Sequence, residues 1–282
     1  MLSFDNKSAL IKHLATIRNS KTTLGFVPTM GALHDGHLSL LSKSLQNNTI
    51  TVVSIFVNPT QFNNPNDLLH YPRTLEQDIE KIKSVSESIL IYAPSIVDIY
   101  DHNTTATRFD FDGLENQLEG KFRPGHFDGV GTVVQKLFEI VQPTNAYFGE
   151  KDFQQLQIIK KLVQKQNLPI SIVGCKVFRE SNGLAMSSRN ERLSEFEKNE
   201  AAIIYKTLLE SKELFERKSA QHVTKFVQQQ FSSQTLFRLE YFEIADEKTL
   251  LVCEHKSRNK DFRAFIAVFV GSVRLIDTIA LY

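Results

Sequence analysis

The sequence predicts an α/β protein: a Rossmann-like open parallel sheet with helices on both faces, followed by a smaller α+β C-terminal domain. Three features lead there. Apolar runs of strand length alternate with stripes of helical period through the first part of the chain. That alternation ends near residue 180, and 282 residues is a length at which one core commonly divides into two. The domains are expected at 1–180 and 181–282, with the change inside the polar stretch Arg179 to Gly183.

Taken in order, Ala9, Leu10, Leu14 and Ile17 share a helical face and precede the apolar segment Leu24 to Val27, which Pro28 is expected to end. A second helix begins near Gly36 and carries Leu38, Leu41 and Leu45. Thr49 to Val57 is almost continuously β-branched or apolar, as suits a strand covered on both faces. Leu75, Ile79, Ile82 and Val85 form the next helical stripe, with Thr74 placed to cap it, and Ile89 to Tyr92 the next strand. Val130 to Val141, Ala146 to Phe148, Leu156 to Val163 and Ile170 to Val173 continue the alternation. Beyond 180, helical segments at Glu195 to Arg217 and Ala220 to Phe231 precede the strand-like runs Leu239 to Ile244, Phe262 to Val270 and Val273 to Ile276. Short Gly and Lys/Asn/Asp connections there favour hairpins.

The charge balance narrows the function classes. With 33 Lys+Arg against 32 Asp+Glu, the chain has no long-range field for gripping a polyanion, and any anion site is local. A nucleic-acid-binding module is therefore disfavoured. No run is long or apolar enough to span a bilayer, and the N-terminus lacks a signal-peptide pattern. These features predict a cytoplasmic protein with no nucleic-acid or membrane partner. Cys175 and Cys253 belong to no ligand cluster and are expected to be free thiols.

Six clusters carry candidate chemistry. Pro28-Thr29-Met30-Gly31-Ala32-Leu33-His34-Asp35-Gly36-His37 follows a strand and opens a helix, where unpaired N–H groups attract anions. His34 and His37 there suit phosphate, with a metal pair or structural histidines as other readings. Asn58-Pro59-Thr60-Gln61 follows the strand run Thr49 to Val57, and Gln61 can pair with a carboxylate or hydroxyl, or simply close a turn. Asp67 to Thr74 leads into a helix with Asp78 in its early part. Arg123-Pro124-Gly125-His126 precedes the most apolar helix and is a substrate-pocket candidate or a solvated basic turn. Lys151, beside Gly149, lies between a short strand and a helix, placed to stabilise phosphoryl charge, with Asp152 and Gln155 on the same rim. Ser187-Ser188-Arg189 combines short donors with a guanidinium fork, as a phosphate clamp requires, or forms a polar linker.

The ordered combination PTMGALHDGH, FVNPTQF, DLLHYPRT, RPGHFDGV, FGEKDFQQL and GLAMSSRN resembles the pantothenate synthetase (pantoate–β-alanine ligase) family of HIGH-motif nucleotidyltransferase-like enzymes. The resemblance runs from Pro28 through Asn190 and is weaker over Glu240 to Ile276. It implies ATP-dependent ligation of pantoate and β-alanine through a pantoyl-adenylate, with release of AMP and pyrophosphate. By the same resemblance His34, His37, Lys151, Ser188 and Arg189 are catalytic. Pro28, Thr29, Met30, Gly31, Gly149, Asp152, Phe178, Met186 and Ser187 join them at ATP. Met30, Asn58, Gln61, Arg123, His126 and Gln155 hold substrate, and the Ser187–Arg189 loop closes over the phosphates. Asp78 matches a position linked to Mg²⁺, which the phosphates themselves chiefly hold, and a homodimer is implied. One departure is visible: Asn182-Gly183 stands where the family usually has Asp-Gly. Another HIGH-motif adenylyl or cytidylyl transferase, sharing the histidine site but taking a different acceptor, is the nearest alternative.

Overall fold

The computed structural model describes every residue except Asn64 and His102, and of Asp67 the backbone alone. The side chain that opens the Asp67–Thr74 motif thus lies outside the described residues. Two compact units emerge. The first comprises Met1–Glu115, Gly120–Gly149 and Gln155–Cys175; the second comprises Asn116–Glu119, Glu150–Gln154 and Lys176–Tyr282. Among the described residues no helix is long and apolar enough to cross a membrane.

In chain order the first part of the molecule runs β1 (Ser3–Phe4), α1 (Lys7–Ile17), β2 (Leu24–Thr29), α2 (Asp35–Asn47), β3 (Ile50–Ile55), α3 (Pro65–Leu69), α4 (Leu75–Val85), β4 (Leu90–Tyr92) and α5 (Ile96–Tyr100). It continues with α6 (Leu118–Phe122), α7 (His126–Val141), β5 (Asn145–Gly149), α8 (Phe153–Lys165) and β6 (Ser171–Cys175). The six strands form one sheet in the order β1-β4-β3-β2-β5-β6, and every pair is parallel. The Rossmann-like expectation therefore holds. The order departs in opposite directions from β2, so the crevice beyond the carboxyl ends of the central strands is the place where such sheets carry ligands.

Alternation along β2 explains how both faces are covered. Val27 packs with Leu33, Leu41, Val53, Ile82, Ile91 and Tyr147 under α2 and α4. Phe26 instead meets Phe138 of α7 edge-on, with ring centroids 6.2 Å apart. Gly25 faces α2 so closely that a Cβ would collide with Ser44 Oγ. Each large side chain removed from water here stabilises the sheet by about 1.5–3 kcal/mol. Pro28 does not end β2, contrary to expectation: the strand continues through Thr29. Pairing with β5 covers only Gly25 and Phe26, while β3 pairs along the full length of β2. A proline is therefore accommodated where one side of the strand has no registered partner.

The second unit contains α9 (Glu195–Glu200), α10 (Ala202–Arg217), α11 (Ala220–Ser232), β7 (Phe237–Asp246), β8 (Phe262–Val270) and β9 (Val273–Ala280). The strands form an antiparallel sheet in the order β7-β8-β9. Ile204, Leu208, Val223, Val227 and Phe231 of the helices pack on Phe242, Ile244, Ile266 and Val268. The β8–β9 link is the tight hairpin expected, with Gly271 at φ +55°. The β7–β8 link is longer than expected and runs over residues 247–261. Asp246 organises its start by accepting from the Lys248 and Thr249 N–H groups at 3.0 and 2.8 Å. Glu119 accepts a bidentate fork from Arg274 at 2.8 Å on both oxygens, and the Tyr241 hydroxyl at 2.6 Å. That pairing ties the short segment Asn116–Glu119 to the antiparallel sheet.

Helix α7 crosses the turn after β3 with no room to spare: a Cβ on Gly129 would overlap the Thr60 carbonyl and lie 2.8 Å from Gln61 Cα. Backbone atoms cannot swing aside as a flexible side chain would. Gly129→Ala is expected to destabilise the protein by about 1–3 kcal/mol, seen as a lower urea midpoint with an unchanged m-value.

Candidate active site

The turn between β2 and α2 is built on two left-handed residues, Gly31 (φ +85°) and Ala32 (φ +50°). It then turns into α2 with His34 as N-cap, His37 lying three residues on. The backbone N–H groups of His37 and Leu38 close on the His34 carbonyl at 2.8 and 3.1 Å. The His34 N–H donates to Nδ1 of His37 at 3.3 Å, and the two rings lie 4.0 Å apart between centroids, tilted by 32°. Both imidazoles lie at the helix start that the sequence predicts, and the structure brings them together there.

Asp78, the position linked to Mg²⁺, spends its carboxylate on the β2–α2 turn. It is fully buried. One oxygen accepts the Leu33 N–H at 2.7 Å; the other accepts the Ala32 N–H at 3.0 Å and the Thr74 hydroxyl at 3.3 Å. Lys81, one turn along α4, donates to the Leu33 carbonyl at 2.6 Å. A carboxylate so enclosed does not fit a metal ligand's role. Among the described residues no group of three or more His, Cys, Asp or Glu is arranged to hold a metal ion.

The next strand end carries Asn58, Thr60 and Gln61. Asn58 is 1 % exposed and Gln61 9 %, so neither is a loose surface amide. Asn58 Nδ2 donates to Gln61 Oε1 at 3.0 Å and to the Gly129 carbonyl at 3.2 Å. Gln61 Nε2 lies 3.1 Å from the Met30 sulfur, which brings two of the candidate substrate residues into contact. His126 is buried. Its Nδ1 is 2.8 Å from the Gln61 carbonyl, which can only accept, so Nδ1 carries the proton and Nε2 accepts from Arg123 at 3.2 Å. Arg123 also reaches the Gln61 carbonyl at 3.4 Å. Expected as pocket lining, His126 and Arg123 are thus seen bracing the backbone of Gln61.

Gly149 closes β5, and Lys151 and Asp152 follow in the second unit. The Lys151 ammonium lies 3.7 Å from the Asp152 carboxylate, with its side chain 16 % exposed. Of the paired glutamines that follow, Gln154 is consumed in structure: it donates to the Gln117 carbonyl at 2.7 Å and accepts the Glu119 N–H at 2.9 Å. Gln155 is half-buried in the first turn of α8.

Ser187 caps the short turn Ser188–Arg192 by accepting the Arg189 N–H at 3.3 Å. Its base is held by Asn190, which donates to Glu180 at 2.6 Å and to the Ala185 carbonyl at 3.1 Å. Phe178 is exposed, and its carbonyl accepts the Met186 N–H at 3.0 Å. Arg179 forms a fork on Asp277 at 2.6 and 3.0 Å and stacks 3.5 Å over the Tyr205 ring. Burial raises the Asp277 pKa, and the Arg179 and Lys151 charges oppose that rise. No sequence motif contains Asp277, which is buried on β9. Its signal was an acid in line with the buried Val273 and Leu275 of β9. Asn182 retains the turn acceptor, taking the Leu184 N–H at 3.0 Å, and uses its NH₂ on the Lys198 carbonyl at 2.9 Å. Aspartate would keep the first bond and lose the second.

A parallel sheet whose strand ends carry a His-x-x-His helix start and the buried Asn58–Gln61 amide pair has the architecture of an α/β nucleotide-dependent enzyme. The family model described as pantoate-beta-alanine ligase matches residues 3–280, and the chain belongs to that family. It is 62 % identical over 281 residues to the pantothenate synthetase of Flavobacterium psychrophilum, covering 100 % of both chains. Among solved structures it matches the pantothenate synthetase of Thermus thermophilus at 35 % identity and TM-score 0.90, with full coverage of both chains. It also matches the Francisella tularensis pantoate-beta-alanine ligase complexed with beta-gamma ATP and β-alanine, at 37 % identity and TM-score 0.79, covering 100 % of this chain and 98 % of that one. The enzyme ligates pantoate and β-alanine to pantothenate in an ATP-dependent reaction through a pantoyl-adenylate, releasing AMP and pyrophosphate.

Two substitutions probe the local devices. Asp78→Asn turns one acceptor oxygen into a donor facing a backbone N–H, and should cost about 1.5–3 kcal/mol of stability, read by denaturant titration, with turnover reduced alongside. Asn182→Asp should lower stability by about 0.5–1.5 kcal/mol through loss of the bond to the Lys198 carbonyl, measured as a fall in melting temperature.

Proposed function

We propose that His37, assisted by His34, is the leading phosphate donor of the first unit. The observation that carries this reading is the orientation of its ring. Because the His34 N–H points at Nδ1, a neutral imidazole keeps its proton on Nε2, on the side of the ring away from that backbone contact. Lys151, Ser188 and Arg189 supply the remaining positive and donor groups as pyrophosphate leaves. Pro28, Thr29, Met30, Gly31, Gly149, Asp152, Phe178, Met186 and Ser187 complete the nucleotide set. Met30, Asn58, Gln61, Arg123, His126 and Gln155 serve the acid, either by touching it or by holding a residue that does.

The chemistry explains why this inventory lacks a strong base. Pantoate arrives ionised, and its carboxylate oxygen attacks the α-phosphorus of ATP. Pyrophosphate departs, and the resulting acyl adenylate has a good leaving group, so the amine of β-alanine displaces AMP in the second step and gives up its proton to water. Positioning and stabilisation of phosphate charge are what the protein must contribute. Mg²⁺, carried on the ATP phosphates, would neutralise part of that charge, and Asp78 is left to hold the loop. The complex of the Francisella relative with a nucleotide and β-alanine supports both substrates for this chain. A cytoplasmic homodimer is part of the same reading and rests on family membership.

Pantoate-dependent release of pyrophosphate from ATP is the direct assay. His37→Ala should lower its kcat by about 10²- to 10³-fold, as loss of an oxyanion donor does, with an unchanged melting temperature. A kcat equal to that of the parent enzyme would remove His37 from the catalytic set.

A further inference from the structure

We infer that Tyr100 is a positioning residue for pantoate, acting through Asn58 on the side-chain amide of Gln61. The inference rests on the assignment of Gln61 to pantoate made above. Tyr100 ends α5 and is 2 % exposed. Its hydroxyl lies 2.6 Å from Asn58 Oδ1, the shortest polar contact in this cluster. Burial raises the phenol's pKa, so it remains a donor at neutral pH.

The cluster has a direction. The Thr60 N–H, at 3.4 Å from Asn58 Oδ1, can only donate, and the Gly129 carbonyl, at 3.2 Å from Asn58 Nδ2, can only accept. Those two backbone groups set which way the Asn58 amide faces, and two hydroxyls hold Oδ1 there, Tyr100 at 2.6 Å and, more weakly, Thr60 at 3.1 Å, the two hydroxyls themselves lying 3.1 Å apart. Asn58 Nδ2 must then donate to Gln61 Oε1, which leaves Gln61 presenting its NH₂. That NH₂ lies against the Met30 thioether at 3.1 Å, and a thioether is a weak acceptor. Exchange of sulfur for a hydroxyl or carboxylate oxygen of a hydroxy acid would strengthen the bond. The site is thereby set to read an acceptor, and a phenol remote in sequence holds that setting.

If Tyr100 served only as packing, against Phe56 at 6.3 Å between ring centroids, its loss would not depend on Gln61. The test is a double-mutant cycle on the full-length enzyme with Tyr100→Phe, Gln61→Ala and the pair. Tyr100→Phe is expected to raise the KM for pantoate by about 3- to 10-fold, the worth of one neutral hydrogen bond, with kcat and the KM for ATP within about twofold of the parent. In the Gln61→Ala background the same substitution should change the pantoate KM by less than about twofold, since coupled residues are not additive. Equal penalties in both backgrounds overturn the inference and leave Gln61 at pantoate. A Gln61→Ala enzyme with an unchanged pantoate KM overturns the Gln61 assignment and the inference with it. If Tyr100→Phe fails to fold, Asn58→Asp, which cannot donate to Gln61 Oε1, replaces it in the same cycle, and additivity there overturns the inference equally.

Discussion

The carboxylate of Asp78 carries both backbone N–H groups that follow Gly31. Without an acceptor those groups would be buried and unpaired, because the left-handed turn at Gly31 and Ala32 gives them no helical or strand partner. A non-glycine residue in that conformation costs about 1–2 kcal/mol, and the charge-assisted bonds offset it. Asp78 also lies in the first turn of α4, where the helix dipole favours an anion. With Lys81 on the Leu33 carbonyl, α4 grips the turn by both donor and acceptor. The start of α2, and hence the mutual orientation of His34 and His37, depends on that grip.

The second unit uses the same device on a different turn. Half-buried Arg179 forms a two-point pair with the buried Asp277, and Arg179 also donates to the Gly183 carbonyl at 3.1 Å. Breaking one side of such a pair leaves an uncompensated charge, so the turn from Arg179 to Ala185 is held more firmly than its polar sequence implies. Asn182 joins that turn to the Lys198 carbonyl at the end of the first turn of α9. An amide there therefore has a bonding reason as well as a turn-forming one.

Residues inside the sequence motifs hold one another as well as the site. His126 and Arg123 converge on the Gln61 carbonyl, Gln154 braces residues 117–119, and Asn190 anchors the base of the Ser187–Arg189 turn. A motif read along the chain records both kinds of residue together, since loss of a brace disables a site as surely as loss of a contact.

Sequence alone determined the alternation of strands and helices, the antiparallel character of the final strands, and the clustering of His, Gln, Lys and Ser-Ser-Arg at element ends. Those are local patterns, written in side-chain period and turn chemistry. It could not show β1, whose two residues pair with β4 and are too few to carry a period. Nor could it show that the second unit takes in Asn116–Glu119 and Glu150–Gln154, because Arg274 and Tyr241, which hold Glu119, lie more than a hundred residues away. The hydrogen-bond partners of Asp78, Tyr100 and Asp277 were decided only in three dimensions. Each is a polar group whose meaning lies in which partner burial forces upon it, and burial is a property of the packed chain.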